Sequence, residues 1–252
     1  MSDERNVVVP ALVIEAARAG EAGDCGDRDG RGTAAADLLR TLGLHLRNAV
    51  VTGDLGAMSV PFPLTFEGCR FEASLQVSGA TLQEMALSRC ELPRLLGNGV
   101  DVRRDLNLCR IIVRDATVTA ADRSPGMNYA DHGVRGSAIG ASRLSVGSDL
   151  LFEGACRLDG RVDLALATLG RLTVGPECPF DAHGNTALDL TNAALASRLG
   201  FAPGVDMRGT LRLTGATVHG TLTLEGLHLS DPSGRSCLAA QSTTIYGDVE
   251  LH

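Results

Sequence analysis

The large hydrophobic residues of this chain recur at about every fifth position over long stretches. An α-helix repeats every 3.6 residues and a simple strand every 2, so neither element explains this period. The period instead predicts short strands joined by corners, with four sides closing a coil of about twenty residues. The residues that keep this rhythm are Phe66, Phe71, Val77, Leu82, Leu87 and Leu92, then Leu108, Val113 and Val118, and then Leu164, Leu169 and Val174.

A three-residue unit accompanies the rhythm: a small residue (Ala or Cys), any residue, and a large apolar residue. Residues two apart in a strand point to the same face, so the small and large members predict a core and the middle residue an outer surface. Stacked coils of this kind bury a continuous ladder of side chains. The units begin at Ala49, Cys69, Ala73, Ala80, Cys90, Cys109, Ala116, Cys156, Ala167, Cys178 and Ala216.

A longer period of about fifty residues lies over the first. Segments that resemble one another are 184–188 with 234–238, 160–164 with 209–213, and 146–152 with 195–201 and 245–251. Fifty residues correspond to two coils plus a protruding loop, or to about two and a half coils. This nested regularity predicts an all-β solenoid over residues 43–252 and argues against βαβ units.

Residues 1–42 lack the pattern and form a separate predicted region. Segments 10–19 and 33–42 are predicted to be short helices, with Thr33 as the N-cap of the second and Gly43 as its terminating glycine. Between them lies a flexible, charged, glycine-rich loop. Because the open end of a solenoid exposes unpaired strand edges, we expect this region to be an N-terminal cap.

The clearest interruption of the repeat is the segment 120–136, a predicted loop insertion. Tyr129, Asp131, His132 and Arg135 are concentrated there. Function is often carried by loops on a rigid scaffold, so these four residues are the candidate site, with the first three as candidate acid/base groups. The alternative is a solvated loop between two repeat blocks.

Composition narrows the possible chemistry. The chain has 252 residues, 23 basic residues that are all arginine, and a formal charge of −7. The absence of lysine excludes Schiff-base chemistry and the P-loop lysine, and a net acidic chain is not expected to bind nucleic acid directly. We find no dinucleotide-binding, serine-hydrolase or zinc-protease motif, so no cofactor and no metal is predicted.

The seven cysteines and the hydropathy bear on the compartment. Five cysteines fall in the small slot of the three-residue unit and none forms a C-x-x-C motif, so we expect buried thiols. The apolar stretch 7–14 is too short to span a membrane, and its acidic flanks do not suit a signal peptide. The sequence therefore predicts a cytoplasmic protein with no membrane span.

The pentads resemble those of pentapeptide-repeat proteins, and this resemblance implies a right-handed quadrilateral β-helix. A closer resemblance is to a group of β-helical proteins from GC-rich bacteria, carried by the run GATVHGTLTL at 215–224 and by segments 51–55 and 61–71. It covers about residues 40–252. Members of that group are often labelled "membrane-associated oxidoreductase", but no residue here supports either half of that label.

These observations favour a non-catalytic binding or scaffolding protein that contacts a protein partner through its flat faces and loops. The resemblance implies an alternative, a DNA-mimicking resistance protein that binds type II topoisomerases. A third hypothesis is an unorthodox biosynthetic enzyme with its site at the 120–136 loop. Because Leu251 would leave an apolar coil end uncovered, we expect a homodimer through the C-terminal end, or a longer protein that continues there.

Overall fold

The chain forms a parallel β-solenoid of about eight turns. The computed structural model describes residues 7–8, 43–51, 55, 58–114, 137–232, 234 and 236–251. Within these ranges the secondary structure is entirely β, which confirms the all-β prediction. The helices predicted at 10–19 and 33–42 lie outside the described residues. Val7–Val8, from the predicted cap, forms a strand that pairs in parallel with Val50–Val51 of the first coil.

The strands pair in parallel within two sheets of 14 and 13 strands. Most strands are two to four residues long, as expected for a chain that turns a corner at short intervals. In chain order the strands are Val7–Val8 (β1), Leu44–Arg47 (β2), Val50–Val51 (β3), Ser59–Glu67 (β4), Arg70–Phe71 (β5), Leu75–Gln76 (β6), Thr81–Ser88 (β7), Glu91–Leu92 (β8), Leu95–Leu96 (β9), Asp101–Val102 (β10), Leu106–Cys109 (β11), Ile112–Val113 (β12), Ser137–Gly140 (β13), Ser145–Glu153 (β14), Arg157–Asp159 (β15), Arg161–Asp163 (β16), Thr168–Val174 (β17), Phe180–Asp189 (β18), Ala194–Leu195 (β19), Leu199–Phe201 (β20), Asp206–Arg212 (β21), Thr217–Val218 (β22), Leu222–Thr223 (β23), His228–Ser230 (β24), Leu238–Ala239 (β25), Thr244–Ile245 (β26) and Val249–Glu250 (β27).

The register between neighbouring coils gives their length. Leu64 of β4 lies beside Met85 of β7, which lies beside Leu106 of β11, so each of these coils takes 21 residues. This agrees with the predicted coil of about twenty residues.

The fifty-residue period corresponds to two coils. Leu172 pairs with Leu199, Leu199 with Leu222, and Leu222 with Val249, so coils of 27, 23 and 27 residues alternate. The longer coils hold extra chain at 181–186 and after Ser230, where the pairing with β21 shifts or is interrupted. Of the two sequence-based interpretations, two coils plus a protruding loop is therefore correct.

The core is a column of buried apolar residues on the solenoid axis. Units such as Cys69-Arg70-Phe71 and Ala167-Thr168-Leu169 alternate buried, exposed and buried, as predicted. Of the ten predicted units that lie within the described residues, two are wrong, and the unit that begins at Ala116 lies outside them. In the unit that begins at Cys109, the inward position of the small residue is occupied by Ile111, which is fully buried. Cys109 itself is only partly buried.

At Ala73 the unit is also out of phase. Ala73 is exposed, and the core residues there are Leu75 and Val77. Several coils have a large residue at both inward positions on this side of the solenoid, as Val162 and Leu164 also show. The small-then-large order of the unit is therefore not the rule here, and the coils with Gly97 and Ala141 have their small residue at the second inward position.

The insertion leaves the stacking of the coils intact. β11 pairs with β14, with Leu106 beside Leu150, and β12 pairs with β15, with Ile112 beside Arg157. These pairings form although residues 115–136 separate the paired strands in sequence. β13, which follows the insertion directly, pairs with β9 and β16. The chain therefore re-enters the solenoid in register.

Candidate functional site

The four candidate residues of the insertion, Tyr129, Asp131, His132 and Arg135, lie outside the described residues. The described chain resumes at Ser137, whose neighbour in the sheet is Arg161 of β16. The outer surface around this pair is therefore the part of the described structure that lies closest, along the chain, to the predicted site.

Polar residues on this surface are unusually buried. Arg94 is 1% exposed, Ser137 is fully buried and Asp163 is 6% exposed. Residues at comparable outward positions on another side, such as Arg70 and Arg157, are exposed. Because burying an ionised group without partners is costly, the buried carboxylate of Asp163 indicates an organised polar cluster.

The centre of the cluster is Asp189, which bridges arginines from two other coils. Arg161 Nη2 donates to Asp189 Oδ2 at 2.6 Å and lies 3.4 Å from Asp163 Oδ2. Arg212 Nη1 lies 3.6 Å from the same oxygen of Asp189. The side chain of Asp189 is 3% exposed and that of Arg161 is 20% exposed. Four charged residues thus connect three successive coils, those of β16, β18 and β21.

The remaining carboxylate oxygens accept hydrogen bonds from the adjacent turns. Asp163 Oδ1 accepts from the Ala165 N–H at 3.1 Å. Asp189 Oδ1 accepts from the Thr191 N–H at 2.9 Å and from its hydroxyl at 2.6 Å. Both oxygens of Asp189 are therefore engaged, and the arrangement holds the coils and their turns together.

Sequence reasoning missed this cluster, although a signal was present. Segments 160–164 and 209–213 match as repeats, yet the first has Asp163 where the second has Arg212. Asp163 and Arg212 lie two coils apart, so each meets a residue of the coil between them, and their opposite charges mark this position as a place for ion pairs. The coil between them supplies Asp189.

A second charged cluster lies on the first coils. Glu67 Oε2 is 2.9 Å from Arg47 Nε and 3.1 Å from His45 Nε2, and Glu67 Oε1 accepts from Arg89. Desolvation would raise the pKa of Glu67, but the charges of Arg47, Arg89 and His45 outweigh it and hold that pKa below its usual value of 4.5. The cluster is more exposed than that around Asp189.

Four of the seven cysteines form two stacked pairs in the core, Cys69 with Cys90 and Cys156 with Cys178. Their thiols donate to corner carbonyls; Cys90 Sγ lies 3.3 Å from the Phe66 oxygen. The thiol partner Cys69 and burial together raise the pKa of Cys90, and Cys156 and burial do the same for Cys178. Cys90 and Cys178 are therefore held as neutral thiols, which are poor nucleophiles.

Comparisons with family models, with curated proteins and with solved structures found no match. Over the described ranges, no group of three or more His, Cys, Asp or Glu side chains is placed to hold a metal ion. That part of the chain also contains no helix of the length and apolarity needed to cross a bilayer.

Proposed function

We propose that the chain is a non-catalytic binding or scaffolding protein that contacts a protein partner through its flat outer faces. We further propose that its solenoid is the right-handed, four-sided β-helix implied by the resemblance to pentapeptide-repeat proteins. The observation that carries the functional proposal is the engagement of Asp189: both of its oxygens accept bonds from arginine or from the Thr191 turn. A carboxylate used in this way stabilises a surface rather than transferring protons.

The regular outer faces support the same proposal. Charged residues on the outer faces of neighbouring coils meet as ion pairs, such as Arg171 with Asp149 and Arg114 with Glu91. Such ladders make a rigid surface that loses little conformational entropy on binding. A protein partner of complementary shape is the occupant that such a face fits best.

The experiment is affinity capture with two face variants. Arg157→Glu changes an exposed position on the 14-stranded sheet, and Thr168→Arg changes one on the 13-stranded sheet. We expect a protein bound by the unmodified chain to be lost with one variant and retained with the other. Capture of no protein above background, or equal loss with both variants, would contradict the proposal.

A second candidate, a DNA-mimicking protein that binds a type II topoisomerase, is favoured by the charge distribution. Residues 137–252 contain eight arginines against twelve carboxylates, whereas residues 43–114 contain eight against seven. Glu153 and Asp206 are exposed or half-exposed among these C-terminal coils. An excess of negative charge on one half of a rigid rod can imitate a nucleic-acid surface.

A supercoiling assay with DNA gyrase tests this candidate. If it is correct, the unmodified protein inhibits the enzyme or protects it from a drug. The double variant Glu153→Gln, Asp206→Asn should then be weaker, while Glu72→Gln on the N-terminal coils should not change the effect. No effect at micromolar protein, or an equal effect of all variants, would rule the candidate out.

We also propose self-association through the last coil and a cytoplasmic location. Tyr246, Val249 and Leu251 are 68%, 49% and 63% exposed at that end, and apolar exposure of this kind supports a homodimer. The described cysteines are free, which supports a reducing compartment. Sedimentation of the unmodified protein and of Val249→Glu tests the dimer: a monomer in both cases, or a dimer in both, would contradict it.

A further inference from the structure

An apolar cavity lies on the axis of the solenoid between the coils on either side of the insertion. Its volume is about 10 Å³, counted as the space open to the centre of a sphere the size of a water molecule. Its lining residues are all buried and expose only carbon or sulfur to the cavity. They include Met85, Leu144, Leu150 and Phe152.

The cavity results from two small residues in a column of otherwise large ones. Hydrogen bonds from Gly97 N–H to the Gly140 oxygen and from Ala141 N–H to the Asp163 oxygen place Gly97 beside Ala141, and Ala141 beside Leu164. The neighbour of Gly97 on the other side is Val77, whose N–H donates to the Leu96 oxygen. The column therefore runs from valine through glycine and alanine to leucine.

The backbone dihedral angle at position 97 does not require glycine, but the neighbouring side chains crowd the site. Gly97 is outside the left-handed region, and a Cβ built on it would meet Val77 Cγ2 and Val100 Cγ1 at 3.2 Å and Ala141 Cβ at 3.8 Å. The five-residue rhythm places position 97 midway between Leu92 and Val102, where a large residue is expected. Any side chain at position 97 would displace the two valines, so the neighbouring residues are packed around the side chain that Gly97 lacks.

We propose that this cavity is a binding site for one small, uncharged, apolar molecule of about the size of a xenon atom or dioxygen. A water molecule needs two to four polar partners, which this lining does not offer, so the cavity is expected to be dry. An apolar guest replaces lost dispersion contacts with the surrounding Leu, Val, Met and Phe side chains. The cavity is closed by buried residues, so a guest enters through a transient local opening.

Xenon is the probe, and methyl chemical shifts of the full-length protein under increasing xenon pressure are the readout. We expect saturable shifts at Met85 and Leu144, and no comparable shift at Leu211, a buried residue that does not line the cavity. The variant Ala141→Val places two methyl groups toward the cavity and should abolish the shifts. Ala216→Val makes the same change at a buried position outside the cavity and should leave them intact.

A second variant that fills the cavity keeps the test decisive if Ala141→Val does not fold. Gly97→Ala adds a single methyl group at the cavity wall and should weaken xenon binding at least tenfold, with folding checked by circular dichroism. Absence of saturable shifts in the unmodified protein would overturn the proposal. Equal shifts in the unmodified protein and in a folded Ala141→Val or Gly97→Ala variant would also overturn it, because the guest would then be elsewhere.

Discussion

Leu166 and Asn192 occupy the same corner of neighbouring coils, and both have a left-handed backbone, with φ of 60° and 55°. The coils stack at this corner, where the Leu166 N–H donates to the Thr191 oxygen at 2.8 Å. Asparagine tolerates the left-handed region through local hydrogen bonds of its short polar side chain, and leucine has no such compensation. Leu166 is also 48% exposed, so its side chain recovers little by burial.

Replacing this strained leucine should stabilise the solenoid. We expect Leu166→Gly to raise the free energy of unfolding by about 0.5–1 kcal/mol, because relief of left-handed strain outweighs the entropy that glycine adds to the unfolded chain. Urea unfolding followed by circular dichroism measures the change. Leu166→Ala is the control, since it removes the exposed side chain but keeps the Cβ; equal effects of the two variants would contradict the strain argument.

Gly220 occupies a corner where neighbouring coils approach too closely for a side chain. A Cβ at this position would lie 1.9 Å from the Ser197 carbonyl oxygen, which is backbone and cannot move aside. Gly220→Ala should therefore destabilise the protein by about 3 kcal/mol, within the upper range for overpacked sites. Gly204→Ala is the matched control.

At Gly204 the φ of 85° is strained for alanine, but no atom lies within 4 Å of the added Cβ. This substitution should cost only about 1 kcal/mol of backbone strain. The comparison is made by urea unfolding of the two variants side by side. A cost for Gly204→Ala equal to or greater than that for Gly220→Ala would show that contact with the neighbouring coil is not the decisive factor.

The sequence pattern predicted the stacking of this solenoid well because its core repeats. Phe66, Phe71 and Leu82 are buried as the five-residue rhythm requires. The phase of individual units was less certain: Cys109 and Ile111 are both apolar, and only the register with neighbouring coils decides which one faces inward. Local pattern therefore identifies the fold more securely than it identifies the inward position at a corner.

The polar cluster was harder to predict, for a physical reason. Arg161 and Asp189 are 28 residues apart, and their contact depends on the lengths of the intervening coils. These lengths alternate, so no single period brings the two residues into register. The sequence predicts the ladder on which such pairs form, but the particular partners follow from where the longer coils insert extra chain.

The buried thiols of Cys90 and Cys178 should be protected from alkylation in the folded protein. Cys90 and Cys178 are buried, and their raised pKa values suppress the reactive thiolate. Cys109 and Cys237 are only partly buried and should react before Cys90 and Cys178. Iodoacetamide labelling followed by peptide mass spectrometry measures the order, with labelling in urea as the control. Labelling of Cys90 at the rate of Cys237 in the native protein would contradict it.

Glu67 should contribute to the acid sensitivity of the first coils. Its folded-state pKa is held below the usual 4.5, so the unfolded chain takes up a proton first as the pH falls. The stabilisation is therefore present above about pH 4.5 and is lost as the pH falls through the lower folded-state pKa. Urea unfolding between pH 6 and about pH 3 should show a shallower pH dependence for Glu67→Gln. Identical pH profiles for the two proteins would contradict this.

The ion pair between Arg161 and Asp189 should matter far more than the surface pairs. Removing one partner leaves a charge in a mostly buried site, so Arg161→Met should destabilise the protein by about 3 kcal/mol. The exposed pair of Arg114 and Glu91 is the control, and Arg114→Met should cost less than about 1 kcal/mol.

A double-mutant cycle separates the ion pair from the packing of the arginine stem. Urea unfolding of Arg161→Met, Asp189→Asn and the double variant should give a coupling energy of about 1–3 kcal/mol, because the two groups touch at 2.6 Å. Arg212 also approaches Asp189, so some of the effect of Asp189→Asn persists in the absence of Arg161. A coupling energy near zero would mean that the cluster does not hold the coils together through this contact, and that Asp189 acts mainly through its bonds to the Thr191 turn.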